Sequence, residues 1–330
     1  MMSTDKADAA SGVSHPDLPA TMFAARLRHY GGPDSLVYEE APVPAPDAHE
    51  VLIRVQAAGV NPFDLKVREG KMQEMMPLQL PVPLGTDVAG VIVAVGKEVS
   101  NLKVGQHVYG VADMAKGGSY AQYAIAQSGS VAHKPGALSA VEAASAPVVA
   151  MTAWQALHDV GRIQSTSKVL IHGAGGMVGL FAIQFARRVG CHIVALSRHE
   201  NTHLIREMGA DTVLDYTKVA FEEHVSGIDV VLDTIGGDIR EKSWRTLKPG
   251  GILVAFTDPP SQEEAEKYGV RASMMQMKPS GFLLSDFSHQ LNDGQLRTFV
   301  GQVFPLARAA DALEALHNHI PGKVVLDMTV

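Results

Sequence analysis

Lys168 to Gly190 reads KVLIHGAGGMVGLFAIQFARRVG and constrains the fold more than any other stretch. It opens on Val169, Leu170 and Ile171, an apolar run too short for a helix and suited to a strand buried on both faces. Four glycines follow within seven residues: Gly173, Gly175, Gly176 and Gly179. Then the period changes. Val178, Phe181, Ala182, Phe185 and Val189 recur at helical spacing, and Gly190 stands where a C-terminal cap belongs. Strand, glycine turn and helix form the first half of a dinucleotide-binding βαβ unit. A turn without side chains lets backbone N–H groups meet a pyrophosphate at the positive end of the helix. The spacing departs from a strict G-x-G-x-x-G, because Val178 falls on the third glycine position after Gly173 and Gly175. The better register is Gly173, Gly176 and Gly179. Such a turn also serves close packing against a helix, and it is the flanking strand and helix that favour a cofactor.

The chain before this unit reads as β. Pro42, Pro44 and Pro46 exclude a helix, and Val51–Gln56, Val91–Val95 and Gln106–Tyr109 read as short strands between Gly and Pro punctuation. They predict a compact β-barrel or distorted sandwich over roughly the first 130 residues. From Ala143 to Leu157 small residues recur helically and lead into the glycine unit. Beyond Gly190, strand and helix alternate. His192–Leu196, Val213–Leu214, Ile228–Leu232 and Ile252–Phe256 read as strands, with Leu204, Ile205 and Met208 on one helix and Ile239, Trp244 and Leu247 on another. That rhythm predicts a parallel sheet with helices on both faces. Two further helices carry Leu283 to Leu291 and Leu306 to Leu316, and Lys323–Leu326 closes the chain as a strand.

Composition removes several classes of function. The net charge is −7 with no long basic run, which points away from nucleic acid and anionic membranes. No apolar stretch is long enough to span a bilayer. The single cysteine, Cys191, leaves no disulfide framework and no cysteine-clustered zinc site, and it reads as a buried inert thiol. His199, His203 and Glu207 fall on one helical face, which reads as a solvated face rather than a metal site. His172 follows the buried strand and is expected to pack near the cofactor crevice. The first residues, MMSTDKADAASGVSHPD, lack an apolar core, so a disordered leader over residues 1–20 of a cytoplasmic protein is expected.

Five segments stand in order before the glycine turn: AAGVNPFDLKVREG, PLGTDVAGVIVAVG, GQHVYG, GSYAQYA and TAWQAL. LKPGG, VFPL and GKVVL follow it. Over residues 22–330 the set resembles the zinc-independent quinone oxidoreductases of the medium-chain dehydrogenase/reductase superfamily, the zeta-crystallin-like group. The resemblance implies an α/β chain with a GroES-like β-barrel catalytic domain from residues 21–147 and 285–330. Residues 148–284 would form a Rossmann domain with a doubly wound parallel sheet, and NADPH would lie in the cleft. A homodimer is implied too, with Arg271–Met277 as a candidate edge strand. Zinc-binding relatives place a ligand cysteine directly after the Gly-Val pair, where this chain has Asn61. Without that Lewis acid, alcohol dehydrogenation is disfavoured, and quinones or enones, which spread developing charge over a conjugated oxygen, suit the site better.

Coenzyme choice follows from the second strand of the unit. NAD-selective folds usually end it on an acid that binds the ribose hydroxyls, whereas here it runs into Ser197, Arg198 and His199. Ser197 can donate to a 2′-phosphate and Arg198 can pair with it. The resemblance adds Asn201 and Tyr216 to that contact. It further implies cofactor contacts at Asn61, Thr152, Gly173, Gly175, Gly176, Met177, Val178, Gly179, Thr234, Ile235, Ala255, Phe256 and Lys323. The expected activity is transfer of a hydride from NADPH to a quinone or an α,β-unsaturated carbonyl. An enoyl-thioester reductase and a catalytically idle NADPH-binding regulator stay open. Asn61 as an amide donor and Lys66 as a cation are the candidate catalytic residues, set to stabilise charge on the substrate oxygen. Each has a plainer reading: Asn61 as a turn residue ahead of Pro62, Lys66 as a solvated surface charge. Asp64 reads as structural, pairing with a base such as Arg68.

Overall fold

Alternating burial accounts for the pivotal strand. In the computed structural model, which describes residues 18–318 and 321–329, Val169, Leu170 and Ile171 are fully buried. Val169 and Ile171 enter one hydrophobic core and Leu170 another, as the two-residue period of a doubly covered strand requires. Burying each such side chain contributes about 1.5–3 kcal/mol relative to exposure. The expected leader, except for residues 18–20, lies outside the described residues.

In chain order the strands are Thr21–Leu27 (β1), Leu36–Pro42 (β2), Glu50–Gly59 (β3), Val82–Pro83 (β4), Asp87–Val95 (β5), His107–Val111 (β6), Tyr123–Gln127 (β7) and Val131–His133 (β8). Next come Lys168–Ile171 (β9), His192–Ser197 (β10), Thr212–Asp215 (β11), Ile228–Asp233 (β12), Leu247–Ala255 (β13) and Arg271–Met274 (β14). Val300–Pro305 (β15) and Lys323–Asp327 (β16) end the series. β9 to β14 make one parallel six-stranded sheet in the order β11-β10-β9-β12-β13-β14. The order reverses between β9 and β12, so the crevice at their C-terminal ends is the switch point at which such sheets bind ligands.

The remaining strands form the barrel lobe. A seven-stranded sheet runs β15-β16-β3-β5-β6-β8, with β7 also on β3, beside a small sheet β2-β1-β4. β16 returns from the chain end to lie antiparallel on β3, pairing Val325 with Gly59 and Leu326 with Ala58. One core cluster crosses between the lobes: Ala57, Ala89, Tyr109 and Val325 of the barrel pack with Leu180, Phe181 and Phe185 of the helix Met177–Val189.

Three readings of the sequence change. Leu247 begins β13 rather than lying on the preceding helix, which ends at Ser243 before a turn of 3-10 helix. The small-residue helix is two pieces, Ala140–Ala144 and Pro147–Gln155, because a proline lacks the N–H to continue a helix but fits its first turn. A short helix, Gln262–Lys267, also stands between the strand Ile252–Phe256 and the helix from Leu283, where the sequence predicted no element. Ser261 caps it by accepting from the Glu264 N–H at 3.2 Å, and Ala265 is its buried residue.

Candidate active site

At the end of β9 the four glycines do different jobs. Gly173 has φ +58°, a conformation that disfavours side chains, and a Cβ there would lie 2.3 Å from Thr234 Oγ1. A Cβ on Gly179 would stand 2.6 Å from the Ala174 Cα, so this glycine lets the helix close on the turn. A Cβ on Gly175 would meet the Asn201 amide at 2.5 Å, which places Asn201 directly over the turn. Gly176 differs. It caps the helix Met177–Val189 with ordinary extended angles, makes no side-chain cap, and faces nothing closer than the Gly173 carbonyl at 3.3 Å. The first N–H groups of that helix, on Met177, Val178 and Gly179, have no partners within it. They make a positive, side-chain-free cradle fitted to a phosphate.

Beside the cradle, β10 ends at buried Ser197 and is followed by exposed Arg198. Arg198 Nε donates to the Tyr216 hydroxyl at 3.2 Å, because β11 pairs Asp215 with Ser197 and carries Tyr216 alongside. The nearby acid, Asp215, is occupied by the Thr217 N–H at 3.0 Å and hydroxyl at 2.6 Å. Across the switch point stand Thr234, whose hydroxyl donates to the His172 carbonyl at 2.9 Å, and exposed Ile235. Ala255 is buried at the end of β13, and Phe256, half-buried, follows it. Thr152 donates its hydroxyl back to the Val148 carbonyl at 2.6 Å on its own helix.

The barrel side of the crevice holds a buried polar cluster. Asn61 caps the helix Pro62–Arg68, and its N–H donates to Asp64 Oδ2 at 2.9 Å. Asn61 Nδ2 donates to Asp87 Oδ2 at 2.8 Å and to Thr86 Oγ1 at 3.1 Å. Lys323 Nζ donates to Asn61 Oδ1 and lies 2.9 Å from Asp87 Oδ2. Asp87 Oδ1 accepts from the Val148 N–H at 2.8 Å. Tyr120 and Thr86 donate their hydroxyls to Asp64 at 2.9 and 3.3 Å. Asn61, Asp64, Asp87 and Lys323 are each at most 4% exposed. Burial pushes the Asp64 carboxyl up to about 6 against the lowering effect of the Asn61 N–H and the Tyr120 hydroxyl.

Several expectations are corrected here. Both amide hydrogens of Asn61 are already bonded, so this side chain organises the cluster rather than offering a donor to a substrate oxygen. Asp64 does not pair with Arg68, which instead reaches Glu314 at 2.7 Å. Lys66 is not a solvated charge: it is half-buried, and its Nζ donates to the Thr257 carbonyl at 3.0 Å across the crevice. The donor set around Asn61 does not fit a zinc ion, because the Lys323 ammonium already bridges Asn61 Oδ1 and Asp87 Oδ2. Sequence reasoning missed Thr86, Asp87 and Tyr120. A lone acid opening the apolar run of β5 was the available signal for Asp87.

Asp64 also sets a pH dependence. Its folded pKa lies above the ordinary carboxylate value, so the folded state holds the proton more tightly than the unfolded chain. Its contribution to stability therefore falls as pH rises from about 4 through about 6, the reverse of a salt-bridged acid. Asp64→Asn is expected to remove this slope. Urea unfolding of both proteins at pH 5 and 8 should show a stability difference that changes by about 1.4 kcal/mol in the mutant's favour toward pH 8. Parallel profiles would mean that Asp64 does not hold the proton.

Residues 47–136 match the family model described as an alcohol dehydrogenase GroES-like domain, and residues 208–326 one described as a zinc-binding dehydrogenase. Residues 141–243 match one described as an alanine dehydrogenase/PNT C-terminal domain. The chain is 35% identical to an NADPH-dependent alkenal/one oxidoreductase, chloroplastic, of Arabidopsis thaliana, covering 98% of this chain and 84% of that one. It is 30% identical to a chloroplastic quinone-oxidoreductase homolog of Spinacia oleracea, over 92% of this chain and all of that one. Among solved structures, the quinone oxidoreductase from Coxiella burnetii superposes with a TM-score of 0.85 at 29% identity, covering 93% of this chain and 99% of that one.

Proposed function

This chain belongs to the zinc-independent, quinone-oxidoreductase-like family of the medium-chain dehydrogenase/reductase superfamily, and from that premise we propose an NADPH-dependent reductase of quinones and α,β-unsaturated carbonyls. The observation that carries the coenzyme choice is the end of β10. Ser197, Arg198 and Tyr216 converge beside the open helix N-terminus, β10 itself ends on no acid, and Asp215 is held by Thr217. When bound, the cofactor supplies the hydride. The chain supplies position and charge.

In this reading the backbone of Gly173 to Gly179 receives the pyrophosphate, and Asn201 closes over it from the side of Gly175. Thr152, Thr234, Ile235, Ala255, Phe256 and Lys323 border the nicotinamide end. Lys66 is the catalytic cation. It reaches across the crevice from the barrel lobe, and two of its three N–H donors remain for a substrate oxygen that gains negative charge. Asn61, Asp87 and Lys323 form a fixed, mutually bonded cluster on the same lobe. The names of the two curated relatives support quinone and enone substrates. Among the described residues β14 lies at the edge of its sheet with β13 as its one partner, which supports a homodimer joined along that edge.

Arg198→Ala tests the coenzyme choice. Charge-assisted contacts contribute roughly 1.5–3 kcal/mol each, so NADPH is expected to bind at least about tenfold tighter than NADH. The mutant should lose most of that preference with NADH affinity nearly unchanged. Equal dissociation constants in the wild type would sink the NADPH reading. Steady-state assays with NADPH against p-quinones, enones, enoyl-CoA and simple alcohols test the substrate class. Turnover confined to enoyl-CoA would move the protein to the thioester reductases, and none at all would make it a cofactor-binding regulator.

A further inference from the structure

We propose that Arg240 is a positioning residue for this reaction, holding the turn after β13 so that Thr257 can seat Lys66. Arg240 lies on the helix Gly237–Ser243 and is 4% exposed, a costly place for a guanidinium without partners. Its fork points three ways. Nε meets Asp233 Oδ2 at 2.5 Å, Nη2 donates to Thr257 Oγ1 at 2.9 Å, and Nη1 donates to Asp258 Oδ2 at 2.7 Å.

Asp233 gathers the neighbouring strand ends. It is the last residue of β12, and its Oδ1 accepts from the Gly236 N–H at 2.8 Å and from His172 Nδ1 at 3.2 Å. Burial alone would raise the Asp233 carboxyl, but the bonds from His172 and Arg240 hold it well below the usual carboxylate range. One ion pair therefore links the C-terminal ends of β9, β12 and β13 at the switch point. Neutralising Asp233 needs only the Nε arm. The other two arms hold a turn whose acid, Asp258, has a side chain 63% exposed and needs no buried partner. That turn presents the Thr257 carbonyl to Lys66 Nζ at 3.0 Å. A planar, rigid fork fixes such a turn, and a flexible ammonium of equal charge does not.

The catalytic part of the inference rests on the reductase reading of Lys66, so the test has one readout independent of turnover. Lys66 is labelled by reductive methylation in the free protein, with exposed Lys97 as internal reference. Thr257→Val removes one anchor of the turn but leaves the Arg240–Asp233 pair. Arg240→Lys keeps the buried charge and loses the fork. Both are expected to raise the labelling rate of Lys66 relative to Lys97 by about three- to tenfold, the loss of one hydrogen bond. Both should also lower kcat about tenfold or more with KM little changed. Should Arg240→Lys fail to fold, Thr257→Val decides alone. Unchanged Lys66 labelling in folded Thr257→Val, or in Arg240→Lys, overturns the positioning role. Increased labelling in an enzyme that reduces no quinone or enone supports the seating of Lys66 and overturns the reductase reading instead.

Discussion

Gly176→Val is expected to leave the protein folded and to weaken NADPH binding by at least about a hundredfold, the loss of two charge-assisted hydrogen bonds. The separation of binding from folding comes from the geometry of this one position. Gly176 has φ −79° and ψ 163°, angles open to any residue, and its added Cβ would meet only the Gly173 carbonyl at 3.3 Å. The backbone can yield that much. The new side chain would instead stand before the helix N–H groups that receive the pyrophosphate. Its neighbours offer no such test. Gly173 has φ +58°, and a Cβ on Gly179 would lie 2.6 Å from a backbone atom, so substituting either strains the fold itself. Calorimetric titration with NADPH, alongside circular dichroism, measures the effect. A folded mutant that binds NADPH normally would show that the pyrophosphate is not held at this turn.

Lys323→Met is expected to lower stability by about 3–5 kcal/mol, the usual consequence of removing one partner from a buried ion pair. Lys323 is 4% exposed and carries the positive charge in direct contact with Asp87, which is fully buried with Asp64 close by. Its loss leaves two carboxyl groups in one dry cluster. Asp87→Asn in the same background should recover much of the loss, because the amide still accepts from the Val148 N–H. Denaturant unfolding of the wild type, both single mutants and the double mutant closes the cycle. A loss below about 1 kcal/mol for Lys323→Met would place the pair among those of little net worth.

The cofactor side of the site was legible because its signals are local. A short apolar run, a cluster of glycines and a switch to helical period lie within one stretch of chain, and strand, turn and helix form there as read. The end of β10 was equally plain, since the residue that follows the strand is read directly from its neighbours. Barrel strands announced themselves by alternation and by Gly and Pro. The helix Gln262–Lys267 did not, because it buries little more than Ala265 and its polar faces carry no apolar period.

The barrel side of the crevice was decided by partners far apart in the chain. Asp64 had Arg68 within reach along its own helix, yet it bonds Tyr120, while Arg68 turns to Glu314. Lys66 meets Thr257 across the lobes, and Lys323 meets Asn61 because β16 pairs with β3 in a register that puts Val325 on Gly59. Composition and period show that a residue is buried and on which face of its own element. They do not carry the register between strands from opposite ends of the chain, and a displacement of one residue would turn Lys323 to the other face of its sheet. The glycine turn, with its strand and helix, was thus determined by the sequence alone. Which charges are paired depended on the packing of β16 on β3 and of the barrel on the parallel sheet.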